Sequence, residues 1–300
     1  MAKLPHPIPY QGSKRNLAPL IAPYVPEDIE VWYEPFAGSA AMTLWAANRN
    51  AAKRYVIGDV LAPIADLWRV IITQPDETAA RYSEIWHGQR ADNHGYFNEV
   101  RARYNEARDP VDLLYLICRC VKNAVRFGTK TGNFTQSHDK RRLGMKPDKM
   151  AEAIKGASML LKGKTEVVSG DWMQTLAPAT AADFVYMDPP YLGTTVGRDK
   201  RYAEGLQQDR LIEGLADLRA RNIRFALSYD GMTGGKEYGP PLPDTLGLTR
   251  LLLYAGKSSQ ATLAGRDEET VESLYITPDL GEANPEIIRK PKAIQAEFAL

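Results

Sequence analysis

Short, nearly unbroken apolar runs alternate along this chain with longer stretches in which apolar residues recur every three or four positions. Val31-Trp32-Tyr33-Glu34, Tyr55-Val56-Ile57-Gly58-Asp59, Thr165-Glu166-Val167-Val168, Phe184-Val185-Tyr186-Met187 and Arg224-Phe225-Ala226-Leu227-Ser228-Tyr229 are of the first kind and predict buried strands. Between them, Leu17, Leu20, Ile21 and Tyr24 predict a helix with Ser13 as its N-cap and Pro26 at its end. Ala40 to Asn48 predicts a second helix, Ile64, Leu67, Trp68 and Ile71 share one face of a third, and residues 209–221 carry another. Strand–helix–strand–helix order is the mark of a parallel α/β sheet. Thr249 to Tyr254 and Glu272 to Thr277 predict an antiparallel pair closing that sheet, and residues 230–247, rich in Gly and Pro, predict a loop.

Residues 76–165 break the rhythm. Their apolar anchors, Tyr96-Phe97, Tyr104 and Leu113 to Ile117, sit in helical patterns, and Phe127 to Phe134 contains the glycines of a loop or hairpin. The expected organisation is a catalytic domain formed by residues 1–75 and 166–280, an inserted helical subdomain at 76–165, and a polar, loosely ordered tail at 281–300.

Composition narrows the class without naming it. Hydrophobic residues make up 44% and charged residues 25% of 300, ordinary for a globular protein that needs no disulfides. Cys118 and Cys120 are too close in sequence for an easy bridge, and the four histidines form no ligand spacing, so reduced thiols and no metal are expected. No stretch approaches the ~18 apolar residues of a membrane helix, which together with the cysteines predicts a cytoplasmic protein. The net charge of +1 is uninformative, but its distribution is not. Between Arg119 and Met150, nine Lys/Arg face two Asp, a local excess of +7. A one-sided basic segment is the footprint expected of phosphate contact.

The candidate chemistry begins at Asp188-Pro189-Pro190-Tyr191. Two prolines cannot continue a central strand, so the chain must leave the sheet there. A carboxylate, prolyl carbonyls and an aromatic ring are left at the strand mouth, a set able to grip a flat ring bearing an exocyclic NH2. Gly38 permits a tight turn after the first strand, and Asp59 closes the second strand 21 residues later. An acidic residue at that distance is placed to accept from ribose hydroxyls. The glycine pattern for a pyrophosphate is absent, since Ala40 stands where another glycine would be. A nucleoside cofactor without pyrophosphate fits these features, and S-adenosylmethionine is one.

In this order the segments resemble the Dam-like DNA adenine-N6 methyltransferases, the alpha group of amino-methyltransferases, from about residue 8 to residue 277. Pro9-Tyr10-Gln11-Gly12-Ser13-Lys14 is similar to the family's N-terminal cofactor motif. Glu34-Pro35-Phe36-Ala37-Gly38-Ser39 is similar to its E-P-F-x-G-x-G motif, with Ala40 for the last glycine. Gly58-Asp59-Val60 resembles its D-x-N segment, with Leu61 where Asn is common. Gly170-Asp171-Trp172 resembles its D-F segment, and Asp188 to Tyr191 its catalytic motif.

The resemblance implies a Rossmann-like methyltransferase sheet with an inserted helical DNA-recognition subdomain. It implies S-adenosylmethionine lined by Tyr10, Lys14, Glu34, Pro35, Phe36, Ala37, Gly38, Asp59, Val60, Asp171, Trp172 and Asp188. Lys14 and the Gly38 turn would face the methionyl carboxylate, and Asp59 the ribose. Asp188, Pro189, Pro190 and Tyr191 would hold and stack on an adenine flipped from double-stranded DNA. Arg119, Lys122, Asn123, Arg126, Lys130, Asn133, Arg141 and Arg142 would contact the nucleic acid. The same likeness implies a bacterial or phage-encoded protein, nucleoid-associated while acting, and leaves open whether it is an orphan, a phage product or the partner of a cognate restriction endonuclease. Cytosine N4 or RNA adenine as acceptor, a catalytically silent DNA-binding module and a dehydrogenase stay open as alternatives.

Overall fold

A computed structural model describes residues 4–90, 92–190, 208–234, 236–257 and 268–290. The strands are β1 (Ile29–Glu34), β2 (Ala52–Asp59), β3 (Thr165–Ser169), β4 (Phe184–Met187), β5 (Arg224–Thr233), β6 (Lys236–Tyr238), β7 (Thr249–Lys257), β8 (Glu269–Ile276) and β9 (Ile287–Ile288). Their order is β3-β2-β1-β4-β5-β8-β7-β9, with β6 on β5. The pairs β2–β3, β1–β4 and β4–β5 are parallel, and β5–β8 and β7–β8 are antiparallel. This is the parallel α/β sheet that the alternating pattern predicted, closed by an antiparallel pair, and it agrees with the sheet that the resemblance implied.

The described chain divides into two compact units. One comprises Met1–Ser13 and Glu34–Leu176. It holds β2 and β3 with helices α2 (Ala41–Asn48), α3 (Ala62–Thr73), α4 (Pro75–Gly88), α5 (Asn93–Ala107), α6 (Pro110–Arg119), α7 (Pro147–Leu161) and α8 (Trp172–Leu176). The predicted face of α3 is its buried face: Ile64, Leu67, Trp68 and Ile71 are inaccessible to solvent. Helix α6 starts at an N-cap, Asp109, whose carboxylate accepts from Val111 N at 2.7 Å, with Pro110 in the first turn. A buried carboxylate, Asp112, is held by both ends of the Arg103 fork at 2.6 and 2.7 Å. Phe127 and Phe134 face each other in a short antiparallel bridge. Arg108 closes the intervening turn by donating to Gly132 O at 2.8 Å and Asn133 Oδ1 at 2.8 Å.

The other unit comprises Lys14–Tyr33 and Ala177–Leu300. It contains α1 (Ala18–Ile21), α9 (Gln208–Ala220) and strands β4 to β9. All four residues of β4 are completely buried, as expected for a strand flanked by neighbours.

Three elements depart from the sequence reading. The helix expected after Ser13 is a 3-10 turn at Lys14–Asn16, then α1, then a second 3-10 turn at Ala22–Tyr24. Pro19 and Pro23 interrupt any longer α-helix there. Ser13 does not cap; its hydroxyl accepts from Ser39 Oγ at 2.9 Å. The predicted loop after Tyr229 is instead the continuation of β5. Asp230 at φ 55° and Gly231 at φ 156° form a bulge, after which pairing with β8 resumes. The described part of the tail contributes β9, which pairs with β7 at Leu252 and Leu253.

Candidate active site

In the first unit, the turn after Glu34 is tied down from three directions. Glu34, nearly inaccessible, accepts from both the backbone N and the Oγ1 of Thr43, and so caps α2 from the preceding strand's end. Asp59 Oδ2 accepts from Gly38 N at 3.0 Å, and its Oδ1 accepts from Leu61 N at 2.9 Å. Trp68 Nε1 donates to Gly38 O at 2.9 Å. Gly38 has φ 46°, and a Cβ there would sit 3.2 Å from the Tyr10 ring. Ala40 follows in the left-handed region at φ 45°, ψ 39°. This is the conformation for which glycine is the ordinary choice. Burial pushes the Asp59 carboxyl up to about 6, with the two backbone N–H bonds pulling the other way.

Next to this turn lies an aromatic pair. The Phe36 and Trp172 rings are 5.7 Å apart and tilted by 34°. The Trp172 indole N–H is buried and makes no hydrogen bond among the described residues. Asp171 caps α8 by accepting from Met173 N at 3.0 Å. Val60, directly after Asp59, is 64% exposed, unusual for a large apolar side chain. Pro35 and Ala37 are buried in the same turn, and Ala37 N donates to Gly58 O at 2.9 Å. Gly58 is needed because a Cβ there would lie 2.8 Å from Thr175 Cγ2.

In the second unit, β4 ends at Met187 and the prolines take the chain out of the sheet. Asp188 stands at that exit, 20% exposed, with its Oδ1 2.8 Å from the Nζ of Lys14. The ammonium also lies 3.4 Å from Glu272 Oε2 on β8. Burial works against a charge on Lys14, but Asp188 and Glu272 outweigh it and hold the group protonated far into the alkaline range. Burial raises Asp188 to about 6; Lys14 opposes that rise and Glu272 adds to it. Pro189 is buried and Pro190 partly so. Tyr191, expected to stack on the acceptor, lies outside the described residues.

Burial sorts the basic segment. Arg119 has no solvent exposure and donates from Nη1 to Asp139 O at 3.2 Å, so its expected place at a nucleic acid is corrected to a structural one. Asn123 donates to Ile117 O at 2.9 Å and accepts from Arg142 Nη1 at 3.2 Å. Arg142 is further fixed by Asp139 Oδ2 at 2.9 Å. Asn133 is occupied by Arg108, and Arg126 is partly buried. Lys122, Lys130, Arg141 and Arg142 are exposed, Arg141 at 86% and Arg142 at 45%, and Arg141 donates to Asp139 Oδ1 from its backbone N at 2.9 Å and from Nε at 3.4 Å.

Sequence reasoning missed Glu272 and the hydrogen-bonding role of Trp68. Glu272 had one signal, an acidic residue opening an apolar strand. Trp68 had none, because its indole N–H is invisible in an apolar-face pattern.

Comparison with known proteins follows the same segments. The sequence pattern of the D12 class N6 adenine-specific DNA methyltransferases matches residues 10–245. The chain is 25% identical over 241 residues to the modification methylase StsI of Streptococcus sanguinis, covering 74% of this chain and 35% of that protein. It is 25% identical over 232 residues to the type II methyltransferase M.FokI of Planomicrobium okeanokoites, with coverage of 74% and 35%. It is 24% identical over 242 residues to the DNA N-6-adenine-methyltransferase of Escherichia phage P1, with coverage of 76% and 30%. The chain thus spans about a third of the length of these curated relatives. With most of its length matched, from Tyr10 through the Asp188 exit to Thr245 beyond the bulged strand β5, the chain belongs to the D12 class N6 adenine-specific DNA methyltransferase family.

Proposed function

We propose that this chain transfers a methyl group to the N6 amine of an adenine flipped out of double-stranded DNA. The observation that carries the reading is the Asp188 carboxylate, set at a proline-terminated strand end and paired to a buried Lys14 at 2.8 Å. An adenine amine is a poor nucleophile because its lone pair is conjugated with the ring. Asp188 and the carbonyl of Pro189 accept its two hydrogens, which favours a pyramidal nitrogen with its lone pair free. The carboxylate also stabilises the positive charge that develops on that nitrogen and is positioned to receive the proton it sheds. Tyr191 is assigned to stack on the base. Flipping the base costs a few kcal/mol, met by contacts to the DNA.

S-adenosylmethionine is the methyl donor in this proposal, and the residues present fit it. The Phe36–Trp172 pair offers apolar ring walls, and the unpartnered Trp172 N–H can meet a heterocycle nitrogen. Asp59 keeps lone pairs for ribose hydroxyls while holding the Gly38 turn. Tyr10, Pro35, Ala37, Val60 and Asp171 complete the lining. When bound, the donor supplies the methyl group from its sulfonium and leaves as the neutral thioether. Lys14, placed against Asp188 and Glu272, acts on the catalytic carboxylate rather than on a methionyl carboxylate.

Residues 76–165 serve as the target-recognition part, with Lys122, Lys130 and Arg141 as its phosphate contacts. The names of the relatives support a cognate restriction endonuclease as a partner that reads the same DNA word. Among the described residues no helix is long and apolar enough to cross a membrane, and we place the protein in the cytoplasm.

The test is incorporation of labelled methyl from S-adenosylmethionine into duplex DNA, followed by nucleoside analysis. N6-methyladenine is expected, and N4-methylcytosine or RNA-only labelling would overturn the acceptor. Asp188→Ala should abolish incorporation while keeping a cooperative unfolding transition. Full activity in that variant would sink the mechanism.

A further inference from the structure

Glu272 lies outside the Asp-Pro-Pro-Tyr segment and outside residues 10–245, where the family pattern matches. Yet β8 brings it to the Lys14 ammonium, 3.4 Å away, while Asp188 lies 2.8 Å from the same nitrogen. Lys14 is 6% exposed and both carboxylates are 20% exposed, so water screens this cluster poorly.

The charges decide what such a cluster can do. Lys14 and Asp188 alone form a neutral pair, which offers little to a cation forming on an attacking nitrogen. Such a pair is also hard to open, because releasing Asp188 would strand a buried ammonium. A second carboxylate changes both properties. The cluster of Lys14, Asp188 and Glu272 carries a net charge of −1, and the ammonium keeps a partner when Asp188 turns to a new donor. Tyr186 on β4 also acts on Lys14, and its hydroxyl is 2.9 Å from Ser228 Oγ.

We propose that Glu272 is a positioning residue for the reaction: it shares Lys14 with Asp188, leaving Asp188 able to accept from the incoming amine and leaving the cluster net anionic. This rests on the adenine methyl-transfer reading for its consequence, but not for its geometry. Glu272 does not touch the acceptor; it acts through Lys14.

The experiment compares wild type, Glu272→Gln and Glu272→Asp, each checked for a cooperative melt. The first readout needs neither cofactor nor DNA. Carboxyl-13C NMR, with Asp188 assigned by Asp188→Asn, follows its titration in the protein alone. Removing the Glu272 charge should shift the Asp188 midpoint down by about half a unit or more, since a nearby like charge raises a carboxyl and its loss lowers it. Glu272→Asp should stay near wild type. The second readout is the pH profile of transfer. In Glu272→Gln, kcat should fall about tenfold with KM for DNA little changed, and the acid limb should move to lower pH.

An unchanged Asp188 midpoint in folded Glu272→Gln would overturn the proposal, as would a kcat equal to wild type. A shifted midpoint in a protein that methylates no nucleic acid would uphold the charge coupling and instead defeat the functional reading.

Discussion

Asp188 meets two opposed demands. To accept from an amine it must be ionised, yet its surroundings favour the neutral form and raise it to about 6. Transfer should therefore fall as pH drops below about 6 and level off above it. Stability should respond with the opposite sign. A carboxyl raised in the folded state adds stability that is full below its unfolded value, near ~3.9, and is lost as pH rises through the folded one. Asp59, also raised to about 6, behaves the same way. Lys14 is raised too, so its contribution persists through neutrality and disappears only at strongly alkaline pH. Measured together from about pH 5 to 8, kcat should show an acid limb over which the contributions of Asp188 and Asp59 do not lower the melting temperature. If activity and melting temperature instead declined together on acidification, the limb would report unfolding and not Asp188.

At the scale of elements, the Glu34–Ala40 turn is a small machine of three fasteners, and the least replaceable is Trp68. Trp68→Phe keeps most of the apolar packing of α3 but removes the N–H that meets Gly38 O. The expected cost is about 1 kcal/mol of stability, that of one buried hydrogen bond. A larger loss of cofactor affinity should accompany it, because the turn loses its fixed geometry. Denaturant melts and a cofactor titration check both, and unaltered affinity would show that Asp59 and Glu34 suffice. This turn also marks where the sequence was legible. Strand β4 and the inner parts of β1 and β2, Val31 to Glu34 and Tyr55 to Asp59, were readable because their burial demands nearly unbroken apolar runs, and α3 because one face meets the core. Ala40 was recognisable as standing where glycine belongs, and it does adopt φ 45°. The extension of β5 was hidden, because Asp230 and Gly231 carry loop chemistry while forming a bulge. Asp230, almost wholly buried, is held there by Tyr275 at 2.6 Å and Arg250 at 3.0 Å, partners distant in sequence. Glu272 was hidden for the same reason: only the pairing of β5 with β8 assigns it neighbours.

For the whole molecule, net charge understates what the surface presents. The +7 excess between Arg119 and Met150 is a property of the sequence, and folding divides it. Arg119 is wholly buried, so it cannot neutralise a phosphate, while Arg142, 45% exposed, is held by Asp139, Asn123 and Cys120. Lys122, Lys130, Lys140, Arg141, Arg142, Lys146 and Lys149 remain on the surface, and the proposal assigns Lys122, Lys130 and Arg141 to phosphates. If these three are the phosphate contacts, replacing them with Gln should weaken binding to all DNA sequences about equally. The slope of log affinity against log salt should then become shallower by about 2.7, at ~0.9 for each phosphate no longer neutralised. Arg119→Ala should behave differently. It empties a buried site and takes from Asp139 O one of its two donors, leaving Arg142 N at 3.4 Å, so the loss falls on stability, with the salt slope of the folded fraction unchanged. A salt slope that moved with Arg119 and not with those three would reverse this division and place the DNA on another face.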